Sequence, residues 1–369
     1  MSGLVLKNVN KIYPSGQQAV KDFNLEIENR EFLILTGPTG CGKSTLLRMI
    51  AGLEEISSGS LSIGGKDMTD SEPRDRNIAM VFKNSILYPE MNVLDNLSFA
   101  LRMGKMAQDE IDERVKEAAG LLNLDSILEQ MPAELTKEET YRVLLGRALV
   151  RRPKILLLDS IIADLEEELQ VVIRQELLET YRKMNMTVIY ATDNQGTAGT
   201  LATRMIVMKD GMICQDDTYE NLVKKPVNRF VAGVVGQAPM NFFLATVQEQ
   251  ENQVKLKLKS GQILLPDEKG KPLIDGAYSG KEVIVGIRAD SLHLEENASG
   301  SGNGILTVTF QGMADGKTET ALRFLENETE GLCLAGQAPD CRTGGKILLS
   351  VDAKELYLFD RENGKTIAN

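Results

Sequence analysis

Residues 37–45 read GPTGCGKST and stand between the apolar run EFLILT (31–36) and the helical pattern LLRMIAGL (46–53). The spacing G-x-x-x-x-G-K-[ST] in a strand–turn–helix setting is that of a phosphate-binding loop. Gly37, Gly40 and Gly42 let successive backbone N–H groups point inward at an anion, and the helix N-terminus adds partial positive charge. Lys43 is placed to reach the β- and γ-phosphates and the Ser44 hydroxyl to ligate Mg2+, with Pro38, Thr39, Cys41 and Thr45 completing the loop. The loop by itself serves kinases, GTPases and ATPases alike. The chain has no NKxD element of the kind that reads guanine.

Working outward, strands are expected over 1–35, where LVLKNVNKIY and DFNLEIE alternate and EFLILT is a continuous buried run. The pattern from about 106 to 131 is helical, as is ETYRVLLGRALVRR up to Pro153. KILLLDS (154–160) reads as a buried strand, about 164–184 as a helix, TVIYAT (187–192) as a strand, and TRMIVMKDGMICQ as a hairpin turning at Asp210-Gly211. Strands alternating with helices predict an α/β domain with a mostly parallel sheet and helices on its faces. Beyond 232–240 the text changes to short strands with Gly, Asp and Asn turns and almost no helical periodicity, which predicts a small all-β, OB-like barrel. The expected division is 1–235, with a helical subdomain at about 88–150, and 236–369.

Composition narrows the function. The chain has 369 residues, 42 basic and 53 acidic, for a net charge of −11, which argues against a general nucleic-acid binder. One histidine excludes a His-rich zinc site, and His293 reads as a surface or satisfied strand residue. The four cysteines form no CxxC pair and are expected as reduced thiols. Neither a signal-peptide pattern at the N-terminus nor an apolar run of membrane length is visible, so a soluble, intracellular protein is expected.

Several segments together resemble the ATP-binding subunits of ABC transporters, specifically the importers for sugars and glycerol phosphate. They are EFLILTGPTGCGKSTLLRMIAGLEEISSG, RDRNIAMVF, LYPEMNVLDNLSFAL, VLLGRALVRRPKILLLD and MIVMKDGMI, and in the β region GQAPMNFF, VIVGIRADSLHLE and ELYLFDRENGKTI, the last three matching an accessory (TOBE-like) C-terminal domain. The resemblance covers essentially the whole chain. It implies ATP with Mg2+ clamped between two such chains, and transmembrane permease subunits that hold the dimer at the cytoplasmic face of the cell membrane. It also implies an extracytoplasmic solute-binding protein acting indirectly, and a coupling helix of the permease docking near Leu87 to Val93. Tyr13 falls where the family stacks an aromatic on adenine, with a core-packed strand aromatic as the alternative, and Asp159 where it holds Mg2+.

Against that pattern, the positions tied to hydrolysis differ. Leu135-Thr136-Lys137-Glu138-Glu139 stands for LSGGQ, Ser160 for the catalytic Glu, Lys83 (in VFKN) for the Gln that senses Mg2+ and water, and Asp193 for the switch His. Ala163-Asp164-Leu165-Glu166 replaces SNLD. Thr136-x-x-Glu139 also reads as a helix capping box, so the helix start is kept while two carboxylates replace a phosphate-docking face. Three arrangements stay open for Lys83 and Asp193: an ion pair with each other, direct phosphate binding by Lys83, or two independent solvated side chains. The expectation is an ATP-binding importer subunit with impaired or absent hydrolysis. Two rivals are a non-catalytic regulatory scaffold that binds a ligand through its β domain, and an ATPase that recruits Asp164 or Glu166 as base.

Overall fold

The computed structural model describes residues 2–162, 165–193, 202–250, 253–295, 304–314, 321–335 and 338–369. Two compact units divide after Tyr219. In the first, strands β1 (Ser2–Ile12), β2 (Gln18–Glu28), β3 (Phe32–Thr36), β4 (Ser58–Ile63), β5 (Lys66–Asp67), β6 (Ile78–Val81), β7 (Ile155–Asp159), β8 (Thr187–Thr192), β9 (Arg204–Lys209) and β10 (Met212–Asp217) form two sheets. One is antiparallel, in the order β2-β1-β4-β5, and the other runs β10-β9-β3-β8-β7-β6. In the second sheet β9, β3, β8, β7 and β6 are parallel, and β10 closes the edge as the antiparallel arm of the hairpin expected at Asp210-Gly211. β3, β7 and β8 are buried at every position, as continuous apolar runs covered on both faces must be.

Between the two sheets lies α1 (Lys43–Ala51), whose Leu46, Leu47, Met49 and Ile50 are fully buried in one core with Leu4, Leu6 and Phe23 of the antiparallel sheet and Leu33 and Leu35 of β3. Among the described residues, this unit's other α-helices are α2 (Val93–Met103), α3 (Gln108–Leu121), α4 (Lys137–Leu149) and α5 (Glu167–Met184). α3 stops ten residues short of the helical stretch expected to 131. Asn123 adopts φ 54, and Leu124 N donates back to Ala119 O at 2.9 Å, which is a left-handed C-terminal stop. Short 3-10 turns (Asp125–Ile127, Pro132–Glu134) carry the chain on.

A short helix at the division (Tyr219–Lys224) and another after it (Arg229–Val234) lead into the sheet of the second unit, which is antiparallel and has eleven strands among the described residues. Its inward side chains, including Phe243, Val285, Leu306, Phe324, Leu349 and Leu358, make a single core. The fold class expected for both units is the one found. Among the elements not anticipated is the helix Asp267–Asp275, hidden in the sequence by its short length, its polar composition and an internal Pro272. Among the described residues no helix is long and apolar enough to cross a membrane, and the four cysteines are free thiols.

Candidate nucleotide site

The site assembles where three neighbouring parallel strands end. β3 runs into the glycine loop, β8 into Asp193 and β7 into Ser160, at the carboxyl ends of the strands where open α/β sheets bind ligands. The loop needs its glycines for space as well as for conformation. Gly37 has φ 145, and a Cβ there would lie 2.2 Å from the Met208 carbonyl oxygen; Gly42 has φ 107, and a Cβ would lie 2.3 Å from that of Ala19. Gly42 is also the N-cap of α1, so the helix begins with free N–H groups facing the cleft.

Tyr13, Thr39, Gly40, Gly42, Lys43, Ser44, Thr45, Lys83, Asp159, Ser160 and Asp193 line one cleft of about 430 Å3. Ser44 Oγ donates to Asp159 Oδ1 at 2.9 Å. A hydroxyl beside a carboxylate is a set of hard oxygen donors that fits Mg2+. Tyr13 stands just past β1, half-buried, with its hydroxyl 3.2 Å from Thr45 Oγ1, so its ring belongs to the cleft wall and not to the strand core. Cys41 is buried behind the loop, and burial pushes its thiol up, with Lys43 opposing the shift.

The Lys43 ammonium is buried and well occupied. It donates to the carbonyls of Gly37 (2.7 Å) and Pro38 (3.0 Å) and pairs with Asp193 Oδ1 at 2.7 Å. The other Asp193 oxygen accepts from Thr39 Oγ1 at 3.1 Å. The ion pair entertained between Lys83 and Asp193 is therefore replaced by one between Lys43 and Asp193. Strand order is the reason: β8 lies directly beside β3, with Thr36 and Thr192 in register, whereas Lys83 follows β6, two strands away. Two strand spacings are roughly 10 Å.

Ser160 occupies a left-handed conformation (φ 50) and its N–H donates to Ala191 O at 2.9 Å. At the start of α4, Thr136 is the N-cap and the anticipated capping box is complete. Thr136 Oγ1 accepts from Glu139 N at 3.2 Å, and Glu139 Oε2 accepts from Thr136 N at 2.8 Å, which draws the Glu139 carboxyl below its ordinary range. Glu138 pairs with Arg142 at 2.5 Å, and the same guanidinium grips Glu176 through two hydrogen bonds of 3.0 and 2.6 Å. Sequence reading missed Arg142 and Glu176, because nothing in spacing links α4 to α5. Lys137 borders a separate small pocket with Lys83, Leu135 and Tyr141. Ala163 and Asp164 lie outside the described residues. His293 is exposed on the strand Leu292–Glu295, far in sequence from any of these groups.

The ABC transporter family matches residues 20–163, and the MalK OB fold domain matches residues 239–292, which makes the second unit an antiparallel half-barrel of that type. The chain is 44% identical over 295 residues to the oligosaccharides import ATP-binding protein MsmX of Bacillus subtilis, with 80% of each chain covered. It is 42% identical over 299 residues to the trehalose import ATP-binding protein SugC of Mycobacterium tuberculosis, covering 81% of this chain and 74% of that one. With the uncharacterized ABC transporter ATP-binding protein YcjV of Escherichia coli K12 it shares 38% identity over 366 residues, 98% of both chains. Among solved structures, cbiO1 of Clostridium perfringens, part of the transporter complex cbiONQ, is similar with a TM-score of 0.56 at 27% identity, over 59% of this chain and 88% of that one. The ATP-binding cassette MJ0796, in a dimeric post-hydrolysis state with ADP and Pi, is similar with a TM-score of 0.52 at 29% identity, over 58% of this chain and 98% of that one.

Proposed function

The chain belongs to the ATP-binding proteins of ABC transporters, and from that premise we propose that it is a nucleotide-binding subunit of a carbohydrate importer whose hydrolytic step is impaired. The observation that carries this reading is a complete phosphate loop, with Ser44 beside Asp159, in a cleft whose other walls carry Ser160 and Asp193. The named relatives that import oligosaccharides and trehalose support the solute class. Residues 1–235 act as the nucleotide-binding domain, with a helical subdomain at about 88–150, and 236–369 as an accessory β domain. Two such chains, identical or not, bind nucleotide between them. They associate with permease subunits at the cytoplasmic face of the membrane and serve an extracytoplasmic solute-binding protein through them.

Of this chain's residues, the glycine loop and the α1 N-terminus bind the phosphates, Tyr13 offers a face to the base, and Ser44 and Asp159 hold Mg2+, which neutralises phosphate charge when bound. Where the family resemblance implies a catalytic Glu for activating water, this chain offers the hydroxyl of Ser160. A serine hydroxyl is a feeble base at neutral pH, and general-base assistance is worth about 10²–10⁴ in rate. Glu138 and Glu139 put negative charge where a partner's γ-phosphate would meet α4. A partner with a complete site of its own would thus still face these carboxylates.

Nucleotide binding and turnover by the purified chain, alone and with its permease in lipid, test the reading. Saturable nucleotide binding with turnover about a hundredfold or more below that of a relative with a Glu at this position is the expected result. Ordinary turnover would reverse the impairment, and absence of nucleotide binding would favour the scaffold instead.

A further inference from the structure

We propose that Asp193 acts as a built-in competitor for the γ-phosphate, so that this cleft selects nucleoside diphosphate over triphosphate. The inference rests on the nucleotide-binding reading above and refines which nucleotide the site keeps.

An ammonium has three N–H donors. On Lys43 they face the Gly37 carbonyl, the Pro38 carbonyl and the Asp193 carboxylate, with the Cys41 sulfur at 3.7 Å as a fourth acceptor. In a phosphate loop this lysine serves the β- and γ-phosphates. Here its outward donor is spent on a carboxylate that belongs to the chain. Asp193 is also fixed from its other side by Thr39, a residue of the loop itself, so both oxygens are engaged. The pair is asymmetric in exposure: the Lys43 side chain is 6% exposed and that of Asp193 48%. The carboxylate thus comes in from the open mouth of the cleft.

That geometry treats the two nucleotides differently. A β-phosphate can be held by the backbone N–H groups of the loop and by the helix N-terminus, none of which Asp193 occupies. A γ-phosphate lies further out, on the side of Lys43 that Asp193 covers. To bind, it must break the contacts of Asp193 with Lys43 and Thr39 and then sit beside a displaced carboxylate of like charge. Lys83 lines the same cleft and favours phosphate, and Asp159 works against it unless Mg2+ is bound. The discrimination is therefore a ratio set chiefly by one residue.

Isothermal titration of the full-length chain with ADP and with ATP, each with Mg2+ and with chelator, measures that ratio, and thermal melting verifies that each variant is folded. Wild type is expected to bind ADP about tenfold or more tightly than ATP, the size of effect one modestly shielded like charge supplies. Asp193→Asn keeps the shape and removes the charge, and is expected to shift the ATP-to-ADP affinity ratio by about tenfold in favour of ATP. Thr39→Val releases only one side of the carboxylate and is expected to move the ratio in the same direction by less. Equal affinities in wild type, or a ratio that Asp193→Asn leaves unchanged while both nucleotides bind, overturn the inference and leave the nucleotide-binding reading standing. Failure of wild type and variants to bind either nucleotide overturns both.

Discussion

Gly42 is required twice over, as the left-handed entry to α1 and as the point where the loop passes the Ala19 carbonyl. A methyl group there meets backbone on the antiparallel sheet, which cannot yield as a flexible side chain could. Gly42→Ala is expected to destabilise the protein by about 2 kcal/mol or more, combining left-handed strain with the clash, and to weaken nucleotide binding. Denaturant unfolding together with nucleotide titration verifies both. At Ser160 the left-handed backbone was invisible beforehand, since serine gives no sign of it in sequence. The residue types at 83, 160 and 193 were legible from the chain alone, but their neighbours were not.

Elements need partners at their ends. The C-terminus of α1 is closed by Arg76, a buried guanidinium that donates to the carbonyls of Met49 (2.8 Å) and Ile50 (3.0 Å) and also holds Ser71 and Thr69. Gly52 is placed so that any side chain there would strike it. Arg76→Ala removes the cation favoured at a helix end and leaves buried carbonyls unpaired, an expected loss of about 2–3 kcal/mol measurable in urea. In the other unit, the unanticipated helix Asp267–Asp275 buries Lys269, whose ammonium donates to the Leu356 carbonyl. Burial pulls Lys269 down from 10.5 to about 8. Between those two values the unfolded chain binds the proton that the folded chain has released, so folding stability rises with pH across this window. Below it both states are protonated and the full burial penalty applies. Stability of wild type relative to Lys269→Met should therefore increase from pH 8 to 10.5 and be flat at lower pH, as pH-dependent chemical denaturation would reveal.

For the molecule as a whole, charge predicts what it avoids. At −11 the chain lacks the excess of cations that releases counterions from a phosphate backbone. No retention of duplex DNA or RNA is expected at 150 mM salt, and a gel-shift titration would detect any. The same acidity is not evenly spent: Glu138, Glu139 and Asp193 sit at positions where the family resemblance implies phosphate handling. Glu138 is tied to Arg142, Glu139 to Thr136 and Asp193 to Lys43. Each of these carboxylates is thus a structural partner.

Read alone, the amino-acid order already contained the phosphate loop, the strand–helix alternation, the β-rich C-terminal region and the capping box at Thr136. All of these are local, carried by glycine conformations, apolar periodicity and side chains that reach three residues along the backbone. The helix at 267–275, the clasp of Glu176 by Arg142 and the partner of Asp193 were decided only in three dimensions. Strand order in the parallel sheet is not chain order, so β8 slots between β3 and β7 and brings residue 193 onto residue 43. Contacts across that many residues are set by which buried strands pair, and no spacing in the chain encodes them.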